Sequence, residues 1–267
     1  MKIARNLLYS FMLFMLPWSP VAAASDLDKE KRWSEQIVDT LLVGDAVDLT
    51  AGENTFLAIY AEASDGSADQ AVILLHGIGA HPDWPEVISP LRSNLPDHGW
   101  ATLSIQMPIL GNEATAEDYA PLFDEVAPRV NEAARFLLDK GSETIVLLGH
   151  SLGASMAATY LAAGEGTAID GLVAISMGVA SEQEARMNGV KALEKINVPV
   201  LDIYGSRDLN SVLGTVQKRS KASHAAKNAD YRQLQIEGAD HFFLGLEDAL
   251  TRRVYGWLKT TFDQVSR

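Results

Sequence analysis

The stretch Thr144–Tyr160, TIVLLGHSLGASMAATY, constrains the fold more than any other part of the chain. Thr144–Leu148 is apolar, β-branched at Ile145 and Val146, and too short for a helix, so it reads as a buried strand. From Leu152 the sequence turns to alanine, leucine and methionine, which favour helix. Between them Gly149-His150-Ser151-Leu152-Gly153 forms a G-x-S-x-G. A serine on such a strand-to-helix turn takes a strained backbone conformation and needs small neighbours two residues away on either side. The turn lifts the hydroxyl clear of the sheet. It also aims the N-terminus of the following helix at any reacting carbonyl, where the helix dipole favours negative charge.

The rest of the chain supplies the sheet around that strand. Ala46–Thr50 and Thr55–Ala61 read as a hairpin pair joined by Gly52-Glu53-Asn54. Buried strands then alternate with helices: Ala71–Leu75, helix Glu86–Leu95, Ala101–Met107, a mostly helical Ala116–Lys140 with turns set by Pro121 and Pro128, and the Ser151 segment. Gly171–Met177, Val198–Tyr204, helix Ser211–Asn228, Tyr231–Ile236 and helix Leu246–Phe262 complete it. This order predicts one α/β domain over residues 25–267, with about eight mostly parallel strands and helices on both faces. Asp26–Leu42, with an apolar stripe at Trp33, Ile37 and Leu41, predicts a helical extension over 25–43, either packed on the domain or a loose arm.

Residues 1–24 predict a secretory signal. Lys2 and Arg5 precede an apolar run at Leu7–Leu16, too short to span a bilayer, and Ala22-Ala23-Ala24 is a small-x-small cleavage pattern. Cleavage after Ala24 places the protein in a bacterial periplasm or outside the cell, with no membrane span. The net charge of −13 becomes −15 once Lys2 and Arg5 are removed, which argues against nucleic acid and anionic membrane surfaces as partners. The absence of cysteine excludes disulfides, a thiolate nucleophile and cysteine-ligated metal. No metal or organic cofactor is implied, and oligomeric state is not legible.

A serine nucleophile needs a base, and the base an orienting acid, in the chain order Ser, Asp or Glu, His, each just past a strand end. Gly205-Ser206-Arg207-Asp208 follows one strand, and Glu237-Gly238-Ala239-Asp240-His241 the next. Ser151, Asp208 and His241 are therefore candidate nucleophile, acid and base. Asp202, inside a strand, and Asp240, adjacent to the base, are weaker acids. His76 and His150 flank motif turns, and His81, His98 and His224 lack a matching acid. Two backbone N–H groups are needed for an oxyanion. Leu152, after the nucleophile, supplies one; Ile78, in the turn His76-Gly77-Ile78-Gly79, is the candidate for the other. Gly77, Gly149 and Gly153 are the motif glycines. The Gly-x-Gly at 77–79 lacks the continuation a phosphate loop requires.

LLHGIG, LLGHSLGAS, YGSRD and GADHFF resemble, in joint order between residues 72 and 243, the signature segments of the α/β-hydrolase superfamily. The resemblance implies the eight-stranded hydrolase fold, with Ser151, Asp208 and His241 as triad and Ile78 and Leu152 at the oxyanion hole. HPDWPEVISPLRSNLPDHGWATLSIQMP is further similar to secreted bacterial hydrolase-like proteins catalogued as a domain of unknown function. Not all of that group keep a complete triad; this chain carries all three residues, which favours activity. Only Gly178–Asn197 stands where such folds usually insert a lid, so no large lid and an open cleft are expected. Trp84, Phe242 and Phe243 are candidates to wall it, or are core. The expected reaction is hydrolysis of a small-molecule or exposed carboxylic ester with a short acyl group. A peptidase, amidase, thioesterase or lactonase on the same triad is the alternative, as is a non-catalytic envelope binding protein on the scaffold.

Overall fold

A computed structural model of the chain describes residues 24–179, 181 and 184–262. The proposed signal segment lies outside these residues except for Ala24. Helix α1 (Leu27–Thr40) opens with Asp26, whose carboxylate accepts from Lys29 N–H and caps the first turn. Strands β1 (Asp45–Ala51) and β2 (Asn54–Ala61) form the expected hairpin. Then come β3 (Gln70–Leu75), α2 (Ile88–Asn94), β4 (Ala101–Ile105), α3 (Val126–Asp139), β5 (Thr144–His150) and α4 (Leu152–Ala162). The chain continues through β6 (Gly171–Ile175), α5 (Gly189–Leu193), β7 (Val200–Gly205), α6 (Asn210–Leu213), α7 (Val216–Ala225), β8 (Tyr231–Ile236) and α8 (Glu247–Phe262).

The eight strands lie in the order β1-β2-β4-β3-β5-β6-β7-β8. β2 pairs antiparallel with β1 and β4, and every other pair is parallel. The central strands read as unbroken apolar runs because both faces are covered. Ile73, Leu75, Ile145 and Leu147 pack with α3 and α4, whereas Val72, Leu74, Val146 and Leu148 pack with α2 and α8. This is the α/β-hydrolase fold, with Ser151 at the tip of central strand β5.

α1 is packed rather than loose: Ile37 is buried on Leu57 and Ile59 of β2, flanked by Trp33 and Leu41. Two expected elements differ. The Ala116–Lys140 segment is a 3₁₀ stretch over Glu117–Glu125 followed by α3. Pro128 falls in the first turn of α3, where its missing N–H has no helical acceptor to serve. The expected helix Ser211–Asn228 is broken into α6 and α7 at Gly214–Thr215. There the buried Arg219 guanidinium donates to the Val212 carbonyl and the Thr215 hydroxyl, ending the first helix before the second begins. Between β6 and β7 the described residues hold only a short 3₁₀ turn at Ala185–Met187 and α5, and no large lid. No helix among them is long and apolar enough to cross a membrane.

Candidate active site

Three close approaches explain the motif glycines. A Cβ on Gly149 would lie 2.5 Å from Ala154 N, and one on Gly153 2.3 Å from the Leu75 carbonyl oxygen. A Cβ on Gly77 would lie 3.2 Å from Ser151 Cβ. The chain can thus fold tightly around Ser151, which sits at φ 55° and ψ −119°, a strained conformation for a residue with a side chain. Its amide is fixed by a 2.9 Å bond to the Ile175 carbonyl.

His241 Nε2 lies 3.0 Å from Ser151 Oγ, and His241 Nδ1 lies 2.6 Å from Asp208 Oδ1. A carboxylate only accepts, so Nδ1 carries the proton and Nε2 is free to accept from the serine hydroxyl. Asp208 and His241 are both buried. Burial raises the Asp208 pKa, but hydrogen bonds from His241, Ser176 and the Leu209 amide outweigh it and hold the carboxyl below its ordinary value. Asp208 therefore remains a carboxylate facing the imidazole.

Leu152 and Ile78 line the same cleft as Ser151 and His241. Neither backbone N–H has an acceptor among the described residues, so both are available to an oxyanion. Beneath Ile78, His76 Nδ1 donates to the Gly77 carbonyl at 2.9 Å, while its Nε2 accepts from the Met107 amide at 2.9 Å. Burial pushes His76 down to about 3, and it is a neutral strut. His150 Nε2 donates to the His241 carbonyl at 2.9 Å. Burial first, then the neighbouring His241, pushes His150 down to about 4. Both histidines beside the motif turns thus hold loops.

The remaining candidates fall elsewhere. Asp202 is fully buried and pairs with Arg219 Nε at 2.7 Å and the Tyr231 hydroxyl at 2.6 Å. Asp240 Oδ1 accepts from the Phe242 amide at 3.0 Å and stays within its own loop. His81 packs between Trp33 and Trp84, His98 stacks on Tyr255, and His224 bonds the Ser220 carbonyl.

None of the three aromatics walls the cleft. Phe243 is wholly buried in the core, Phe242 lies against the His150 and His241 rings, and Trp84 meets His81 edge to face. The cleft, about 240 Å³, is instead lined by small and aliphatic side chains, among them Val179, Leu209 and Val212. A larger groove of about 680 Å³ runs between β8 and α8, but its lining includes neither serine nor histidine, whereas Ser151 and His241 both line the smaller cleft. Sequence reasoning missed Ser176, which lines the cleft and donates its hydroxyl to Asp208 Oδ2. A lone serine past a strand end carries no pattern that marks it. No group of three or more metal-ligating side chains occurs among the described residues.

Comparison with known proteins gives a family match over residues 18–127 and 111–260, to the family described as protein of unknown function DUF3530. No curated protein matches the chain. Among solved structures, Est1E from Butyrivibrio proteoclasticus is 16% identical with TM-score 0.64, covering 82% of this chain and 99% of that one. The Pyrococcus furiosus esterase Pf2001 is 19% identical with TM-score 0.62, covering 81% and 92%. The dienelactone hydrolase from Anabaena variabilis is 22% identical with TM-score 0.62, covering 81% and 97%. At these identities the likeness establishes the shared fold.

Proposed function

The chain belongs to the DUF3530 family, and from that premise we propose that it is a serine hydrolase cleaving carboxylic esters through an acyl-enzyme on Ser151. The observation that carries this reading is the unbroken hydrogen-bond chain Ser151 Oγ–His241–Asp208, with separations of 3.0 and 2.6 Å. The names of two of the structural relatives, the esterase Pf2001 and a dienelactone hydrolase, support a hydrolase.

In the proposed reaction His241 Nε2 takes the hydroxyl proton as Ser151 Oγ attacks the acyl carbon. Leu152 and Ile78 N–H groups receive the developing oxyanion. Asp208 keeps His241 in the right tautomer and stabilises the imidazolium. His241 then protonates the departing alkoxide, giving an alcohol and the acyl-serine. Water, deprotonated by His241, attacks that ester and releases the acid and free Ser151. The small cleft supports short acyl groups, and the Ala22–Ala24 pattern supports a periplasmic or secreted location.

Labelling with a fluorophosphonate probe tests this directly. Wild-type protein should be labelled and Ser151→Ala should not. A folded wild type that resists the probe would instead favour a non-catalytic binding role.

A further inference from the structure

Ser25 is buried, although Ala24 before it is exposed. Its backbone N–H donates to Glu125 Oε1 at 2.9 Å and its hydroxyl to Glu125 Oε2 at 2.8 Å. Both oxygens of one carboxylate, a hundred residues away, thus accept from a single residue at the expected cleavage point.

Behind Glu125 lies the buried guanidinium of Arg129. Its Nη1 donates to Glu30 Oε2 at 2.9 Å, and its Nη2 to Glu30 Oε1 at 3.1 Å, Glu125 Oε2 at 3.2 Å and Ser25 Oγ at 3.3 Å. Two carboxylates therefore share one cation. Lys29, also buried, does not balance them by contact, because its ammonium bonds the Leu110 carbonyl and Asn112 Oδ1. Asp26 turns its carboxylate to the α1 cap. With both carboxylates ionised, the Glu30–Glu125–Arg129 cluster carries one negative charge in excess. Burial accordingly pushes the Glu30 carboxyl up despite Arg129, and Glu125 adds to that.

We propose that this cluster is a binding site for the mature N-terminus, in which the α-ammonium of Ser25 pairs with Glu125. A signal peptidase supplies that charge by hydrolysing the Ala24–Ser25 bond. Water adds hydroxyl to the Ala24 carbonyl carbon, the C–N bond breaks, and the Ser25 nitrogen leaves as an amine that takes up a proton. A neutral amide donor becomes a charge-assisted one at the same place, and the cluster becomes neutral. Position matters: one retained residue moves the ammonium by about 3.8 Å along the chain, out of contact. Arg129 Nη1 also donates to the Gln106 carbonyl at 2.8 Å, and Gln106 Nε2 lies 3.0 Å from His76 Nε2, so the site shares a hydrogen-bond chain with the loop carrying Ile78.

The test is a thermal-denaturation cycle on the full mature chain, and it does not depend on the reaction at Ser151. Protein exported and processed in cells is compared with a form still carrying Ala22, Ala23 and Ala24, each with and without Glu125→Gln. Intact mass should place the processed N-terminus at Ser25. Glu125→Gln should lower the melting temperature of the processed form by about 3 °C or more beyond its effect on the extended form. Equal losses in the two forms, or processing at another residue, would overturn the proposal. A second measurement needs no variant: near neutral pH an amine-selective acylating reagent should modify the Ser25 α-amine slowly in folded processed protein and rapidly after unfolding. Equally rapid modification of the folded protein would also overturn it.

Discussion

Ser176 Oγ lies 2.5 Å from Asp208 Oδ2, the carboxylate oxygen that His241 does not use. Ser176 sits just past β6 at φ 52°, and the Gly205 amide supports the same oxygen at 3.3 Å. This bond fixes the rotation of the carboxylate, so that Oδ1 faces the imidazole. It also stabilises the ionised form.

Replacing Ser176 with alanine removes a hydrogen bond to a charged group, worth about 1.5–3 kcal/mol, so kcat/KM should fall by roughly tenfold or more. The loss also raises the Asp208 pKa, and the acid limb of the pH profile should move upward. An aryl-ester assay across pH separates this from a structural effect: a uniform loss with an unmoved acid limb would show that Ser176 does not act through Asp208.

Ser151→Ala removes the proposed nucleophile while adding no bulk. Ester turnover should drop by several orders of magnitude, with unchanged circular dichroism and melting temperature. Retention of wild-type turnover would place the nucleophile elsewhere.

Gly153→Ala presses a methyl group to 2.3 Å from the Leu75 carbonyl oxygen and 2.4 Å from that of His76. Those atoms are backbone and cannot rotate away. The cost should be about 2 kcal/mol or more, read as a melting-temperature loss of about 5 °C. A melting temperature equal to wild type would mean that the β3 end moves freely relative to the Ser151 turn.

The cleft of about 240 Å³ counts Val212 among its lining residues, and the proposed preference for short acyl groups rests on that small volume. Across a p-nitrophenyl ester series, kcat/KM should be highest for acetyl to butyryl and decline toward octanoyl. Val212→Ala should shift the preference to longer chains. A wild-type maximum at octanoyl would require a binding path outside this cleft.

His76 and His150 are held neutral, near 3 and 4, whereas in the unfolded chain each titrates near 6.5. Below pH 6.5 the unfolded state therefore binds more protons than the folded state, and stability falls as pH falls. The slope is roughly 1.4 kcal/mol per pH unit for each histidine, down to about pH 4 for His150 and lower for His76. Urea midpoints between pH 7 and 4.5 check this, and His150→Gln should flatten the curve. A midpoint that does not decline over that range would mean that these rings protonate within the fold.

The sequence by itself determined the alternation of strands and helices, the turn at Ser151, and the chain order of Ser151, Asp208 and His241. Each of these is written in a short segment: an apolar run, a glycine two residues away, a polar residue just past a strand. Position in the parallel sheet then places all three at one edge, which is why the candidate constellation was legible in the sequence. Side-chain partners were decided only by tertiary packing. Nothing near Ser25 announces Glu125, nothing near Ser176 announces Asp208, and the break at Gly214 depends on where Arg219 comes to rest. Of the aromatic residues beside the motifs, Phe243 turned to the core, Phe242 lies against His241 and Trp84 against His81, because residue type sets the gain from burial but not the side on which a partner is available. Local patterns fix backbone geometry over a few residues. Contacts between distant loops depend on how layers pack and on which charges and donors remain unsatisfied once they have packed, and those quantities exist only in the folded chain.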